Sequence, residues 1–181
     1  MKRALAWMAA IVTAMGVVLA APADAQGIAP ASSAAPYCGI YWGSLPKTGA
    51  FGASSGIVNI RAGQHDCYDR LVIDLNGGIG SYNVEYVSGV PHQAKEGDIP
   101  LRGGAFLQVD LRNSNWMSGA ANNADLVNVN GWQTLRQVAA ESFEGYTTVG
   151  IGVRARLPFR VFTLNGPGAG SRLIVDVANY W

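Results

Sequence analysis

The chain is poor in residues that do chemistry. Of its 181 residues two are histidine and two cysteine, and Asp, Glu, Lys and Arg together make up 14%. Two histidines leave little to act as general base or metal ligand. No His-Glu-x-x-His, no glycine-rich phosphate loop and no zinc-spaced cysteine pair occurs. After residue 26 no stretch shows convincing helical periodicity, and no second apolar run is long enough to span a membrane. An excess of one charge is missing too. Beyond residue 25 there are eleven basic residues (13 minus Lys2 and Arg3) and eleven acidic ones (12 minus Asp24). Nucleic acid is therefore not an expected partner, because its binding needs a cationic surplus that displaces counterions. Arg outnumbers Lys, and Ala, Gly and Val are abundant, a composition that suits a high-GC bacterium.

What is present begins with an export signal. Lys2 and Arg3 precede an uncharged apolar run over 4–20, and Ala23 and Ala25 stand as the small residues of an A-x-A cleavage site. The run is slightly short for a membrane span of about 20 residues, so cleavage after Ala25 is expected rather than an uncleaved anchor. No cysteine closely follows it to accept a lipid. The expected organisation is a signal peptide over 1–25, a flexible Gln/Gly/Ala/Ser/Pro leader over 26–36 and one domain over 37–181. The destination is the cell envelope or the exterior. Cys38 and Cys67, an even count in an exported chain, point to a disulfide. A metal pair is the alternative, with only His65 and His92 to assist. His65-Asp66-Cys67 is too clustered and too isolated for a ligand set.

The period along the domain is two. Strands are expected over 57–60, 69–75, 82–87, 105–111, 126–129, 134–138, 147–156, 159–164 and 172–177. Glycine, asparagine and proline turns separate them, and Pro158 marks an edge or bulge. The stretch 132–143 is a weak helix candidate, but Thr134, Val138 and the neighbouring aromatics favour strand. Many short strands with regular turns make the fold all-β, a β-sandwich or barrel.

One repeat stands out. Arg70-Leu-Val-Ile-Asp-Leu75 and Arg172-Leu-Ile-Val-Asp-Val177 are nearly the same hexapeptide. In a strand, alternate residues share a face. Leu71, Ile73 and Leu75 should therefore be core, as should Leu173, Val175 and Val177. Arg70 and Asp74, like Arg172 and Asp176, should form outer stripes. The repeat suggests two similar half-domains stacked core to core, each with a stripe outside.

The run Phe159-Arg-Val-Phe-Thr-Leu-Asn-Gly-Pro followed by Arg172-Leu-Ile-Val-Asp-Val resembles the closing signature of the AMIN domain. Tyr68-Asp-Arg-Leu-Val-Ile-Asp-Leu resembles its opening strand. From about 57 to 181 the pattern is similar to the AMIN-like domains of actinobacterial exported proteins. The resemblance implies a β-sandwich of two related sheets and a non-enzymatic role, since AMIN domains target amidases and secretin components to peptidoglycan. Two stretches, 88–104 and 112–131, are longer than a compact AMIN domain needs, and no amidase or secretin follows the last strand.

Individual residues are weighed on that background. Gly52-Ala-Ser-Ser-Gly56 matches a nucleophile elbow in letters, but no helix follows it and a small-residue loop explains it better. The carboxylate pairs Asp66/Asp69 and Glu141/Glu144 read as surface charge, and His65 and His92 as solvated loop residues. Arg70, Asp74, Arg172 and Asp176 form either solubilising ion pairs or a polar surface facing a glycan. Tyr82 and Tyr86 share a strand face and form an aromatic stripe near by. Arg154 and Arg156 with Arg160 form a basic patch, either a gatekept edge or a contact for an anionic wall polymer. The expected activity is non-enzymatic envelope binding, with peptidoglycan or another wall polymer as ligand and no cofactor. A protein–protein adaptor in the envelope is the alternative.

Overall fold

Alternation along each strand decides which side chains meet between the layers. The computed structural model describes residues 36–49, 55–112 and 125–181. In it nine strands form two antiparallel sheets: β1 (Lys47–Gly49), β2 (Ile57–Gln64), β3 (Tyr68–Leu75), β4 (Tyr82–Val87), β5 (Ala105–Arg112), β6 (Leu135–Phe143), β7 (Tyr146–Val153), β8 (Phe159–Asn165) and β9 (Ser171–Ala178). The orders are β1-β4-β5-β7-β6 and β2-β3-β9-β8. The expected signal peptide, most of the leader, Gly52 to Ser54 of the elbow-like motif and most of the 112–125 loop lie outside the described residues.

The core between the sheets is apolar. Leu71, Ile73 and Leu75 of β3 and Leu173, Val175 and Val177 of β9 are all buried there. They meet Val84 of β4, Leu107, Val109 and Leu111 of β5, and Val149 and Ile151 of β7. The expected core faces of the two repeats are therefore correct, and the fold is a β-sandwich.

The arrangement of the repeats is not the expected one. β3 and β9 do not lie in separate stacked halves. They are hydrogen-bonded neighbours in one sheet, with Arg70 opposite Asp176 and Asp74 opposite Arg172. An antiparallel pairing of two Arg-x-x-x-Asp strands sets each cation against the other strand's anion, which like-with-like stacking would not do.

Other elements also shift. β2 runs on to Gln64, and β1 was not anticipated. The 132–143 ambiguity resolves as strand. β6 continues to Phe143 and turns into β7 through Glu144 and Gly145, both at positive φ (48° and 86°), as a two-residue hairpin turn requires. The stretch 126–129 is not a strand. Leu126 N–H donates to the Val138 carbonyl on the free edge of β6 (2.9 Å), so this segment caps the edge instead of extending the sheet.

The loop over 88–104 does more than connect. Val90 and Ile99 are buried with Ala139, and Val87, Leu101 and Phe106 pack around them. Gln93 donates to the Thr148 hydroxyl (2.7 Å). The loop thereby covers the outer face of the five-stranded sheet. Among the described residues no helix is long and apolar enough to cross a membrane.

Candidate functional site: the outer face of the four-stranded sheet

The outer residues of β3 and β9 point away from the core by parity, yet they are not simply solvated. Asp176 is fully buried. It accepts from Arg70 on β3 (Nε to Oδ1 2.6 Å, Nη2 to Oδ2 2.9 Å) and from Arg160 on β8 (Nε to Oδ2 2.7 Å). The Arg70 and Arg160 side chains are 24% and 31% exposed. The bond to Asp176 holds the Arg70 guanidinium firmly charged, against the opposing effect of burial. Both guanidiniums lie over the rings of Tyr68 and Phe162, at 5.1–5.4 Å from the centroids, and Arg160 also lies over Trp42 at 5.5 Å. Trp42 is tilted against Tyr68, and His65 stacks on it at 4.5 Å. A platform of alternating guanidinium and aromatic planes results.

Next to it the sheet carries a groove of about 250 Å³. Val72 and Ile174 are its apolar floor, and Arg61, Arg70, Arg172, His65 and Leu164 line its walls. Asp74 is taken by Arg61 (2.8 and 3.1 Å) rather than by Arg172, the residue directly opposite. Among the described residues Arg172 reaches the Asn165 carbonyl alone, at 3.4 Å. Its Nε is buried and has no hydrogen-bond partner among the described residues. A buried donor without a partner is costly and rare. Here it borders a groove open to a ligand.

The remaining expected site residues lie elsewhere. Tyr82 and Tyr86 do share a face of β4, but it is the inner face of the other sheet, with Val84 between them. They are not an outer stripe. Asn83 and Glu85, polar and between them, were the signal for this. Tyr86 donates to the Leu157 carbonyl (2.6 Å) and meets Phe159 edge-on. Arg154, Arg156 and Arg160 do not share a partner. Arg154 donates to the Asn179 carbonyl (2.6 Å), Arg156 covers the Tyr86 ring, and Arg160 holds Asp176.

Burial pushes the Tyr86 phenol up to about 12, in spite of the Leu157 carbonyl and Arg156. An unfolded tyrosine ionises near pH 10. Between about pH 10 and 12 the unfolded chain therefore holds fewer protons than the folded one. The contribution to stability is complete below pH 10 and is lost as the pH rises through 12. Urea midpoints measured at pH 9 and pH 11.5 should fall less steeply in Tyr86→Phe than in the wild type. An equal fall in both would refute the assignment.

Several supposed surface groups are structural. Asp69 is 1% exposed, and its Oδ2 accepts from the backbone N–H of Thr134 and Leu135 (3.0 and 2.9 Å). It is not surface charge, and its position in phase with Leu71 was the available clue. Asn179, also buried, accepts from the Thr134 hydroxyl and donates to the carbonyls of His65 and Asp66. Glu141 and His92 are not solvated but paired at 2.6 Å. The two cysteines form a disulfide, Cys38–Cys67, which ties the segment carrying Trp42 to the turn before β3.

No curated protein sequence matches the chain significantly. The AMIN-like domain family matches residues 55–179, from the start of β2 to the end of β9. Domains of this family are generally non-catalytic binding modules and occur in exported cell-envelope proteins. With its sandwich, its paired Arg-x-x-x-Asp strands and a match spanning eight of its nine strands, the chain belongs to the AMIN-like family.

Proposed function

We propose that the protein is an exported envelope module, released from a signal peptide after Ala25, whose four-stranded outer face binds a wall polymer, peptidoglycan above all, without hydrolysing it. The observation that carries this is the groove beside the guanidinium–aromatic platform, into which Arg172 brings a buried and unmatched N–H. Peptidoglycan offers what these groups accept. Stem-peptide carboxylates and sugar hydroxyls are acceptors for Arg61, Arg70 and Arg172, and a sugar face stacks on the platform's edge at Trp42. Part of the opposite face of the sandwich is covered by the 88–104 loop, through Val90, Ile99 and Leu101.

Arg172 separates binding from folding better than Arg70 does, because Arg70 holds the buried Asp176. In co-sedimentation with purified sacculi, the wild type should pellet and Arg172→Gln should pellet severalfold less. The thermal melt of the variant should stay within a few degrees of the wild type. Wild-type protein that remains in the supernatant would overturn the reading and favour an envelope protein as partner.

A further inference from the structure

The five-stranded sheet carries a second cluster, built from three arginines far apart in sequence. Arg102 comes from the end of the 88–104 loop, Arg136 from the start of β6 and Arg154 from the residue after β7. They line one cavity of about 360 Å³ with Val129, Asn130 and Gly131. Among the described residues no carboxylate lines it.

Two backbone devices bring them together. The register of β6 on β7 slips between Leu135 and Gln137, so Arg136 is the extra residue of a β-bulge, and bulges redirect a side chain. The loop carrying Arg102 lies directly on the end of β7. A Cβ on Gly152 would collide with the Arg102 carbonyl, and one on Gly104 with that of Arg154. Arg102 N–H is fixed by the buried Gln137 side chain (2.7 Å) and Gly104 N–H by the Val153 carbonyl (2.8 Å). The cavity is thus walled by residues 102–104 at the end of one loop and by Val129, Asn130 and Gly131 before β6.

The guanidiniums are anchored without being used up. Arg102 donates through Nη2 to Asp125 (2.9 Å) and to the Arg136 carbonyl (3.3 Å). Arg136 donates to the Trp132 carbonyl (2.7 Å), and Arg154 to that of Asn179 (2.6 Å). Each guanidinium has five N–H donors. Three arginines that line one cavity and keep donors to spare suit an acceptor with several oxygens. A carboxylate, with two oxygens in a plane, satisfies one fork. A tetrahedral phosphate can serve several at once. We propose that this cavity is a phosphate-binding site for a phosphate ester or diester, separate from the glycan-facing sheet. Asp125, which sits on Arg102, is its internal competitor.

The test is a titration of the full mature chain with inorganic phosphate, followed by backbone amide NMR at ionic strength held constant with sodium chloride. Saturable shifts should appear at Gly103, Gly104, Asn130 and Gly131. Arg102→Gln should weaken binding five- to tenfold. Asp125→Asn should tighten it. Arg112→Gln, which removes an exposed charge elsewhere, should change neither. Poly(glycerol phosphate) in place of inorganic phosphate distinguishes the source. Tighter binding per phosphate marks a polymer ligand, and equal binding marks a free phosphate or small ester. The proposal fails if phosphate gives no saturable shift, if acetate binds as well, or if Arg112→Gln weakens binding as much as Arg102→Gln. Folding of the variants is checked in the same spectra. If Arg102→Gln does not fold, a failure of Asp125→Asn to tighten binding overturns the proposal alone.

Discussion

Asp176→Ala should destabilise the domain by about 3–5 kcal/mol, read as a drop in the urea midpoint at unchanged slope. The carboxylate is fully buried and serves two guanidiniums at once. Without it Arg70 and Arg160 are two like charges held together, both mostly buried, with no anion between them. Removing one arginine is milder, because the other still pairs with Asp176. Arg70→Gln should cost roughly 1–2 kcal/mol, more than the ~0–1 kcal/mol of an exposed pair. The cost of Asp176→Ala comes from unpaired charge and not from the worth of the triad. The triple variant Arg70→Met/Arg160→Met/Asp176→Leu, which replaces all three with apolar groups of similar length, should therefore recover most of the loss. If the triple variant is as unstable as the single one, packing and not charge is the cause. A loss below 1 kcal/mol for Asp176→Ala would mean that the guanidiniums find other acceptors.

Removing the disulfide should have the next largest effect. The bridge joins residues 29 apart in sequence, and a closed loop of that length is worth roughly 3.5 kcal/mol in the chain-entropy model. Cys38→Ser/Cys67→Ser should lower the melting temperature by on the order of 10 °C. It should leave a folded sandwich, since the core between the sheets does not include either cysteine. The local consequence is more specific. Residues 36–46 are otherwise tied to the domain by few bonds, among them Phe159 N–H to the Gly43 carbonyl at 2.8 Å. This segment supplies Trp42, which covers Arg160 and Tyr68. Freeing it should loosen the platform and weaken sacculus binding. A double variant that melts like the wild type would show that the bridge adds nothing beyond the contacts around it.

Much of this molecule can be read along the chain. Period-two alternation marks most of the strands, and it assigns Leu71, Ile73 and Leu75, with Leu173, Val175 and Val177, to the core. The parity of side chains in an extended backbone is local, so no tertiary information is needed. The Asn165-Gly-Pro-Gly turn and the two hexapeptides are local as well, and they carry the family resemblance. The Cys38–Cys67 disulfide is expected from an even cysteine count behind a stretch that reads as an export signal.

Partner choice is not local. Alternation says that Arg70 and Asp74 share a face, but not which strand lies beside them. Pairing β3 and β8 with β9 turned the expected solvent stripes into a buried carboxylate held by Arg70 and Arg160, and Arg61 from the neighbouring β2 took Asp74 from Arg172 opposite it. Alternation likewise put Tyr82 with Tyr86 but did not say whether their face was inner or outer. Packing settled that by placing Val84 between them in the core. Arg102, Arg136 and Arg154 belong to no motif. Their meeting depends on a bulge in β6 and on a loop pressed against Gly152, and both arise from contacts between segments that no spacing in the sequence records.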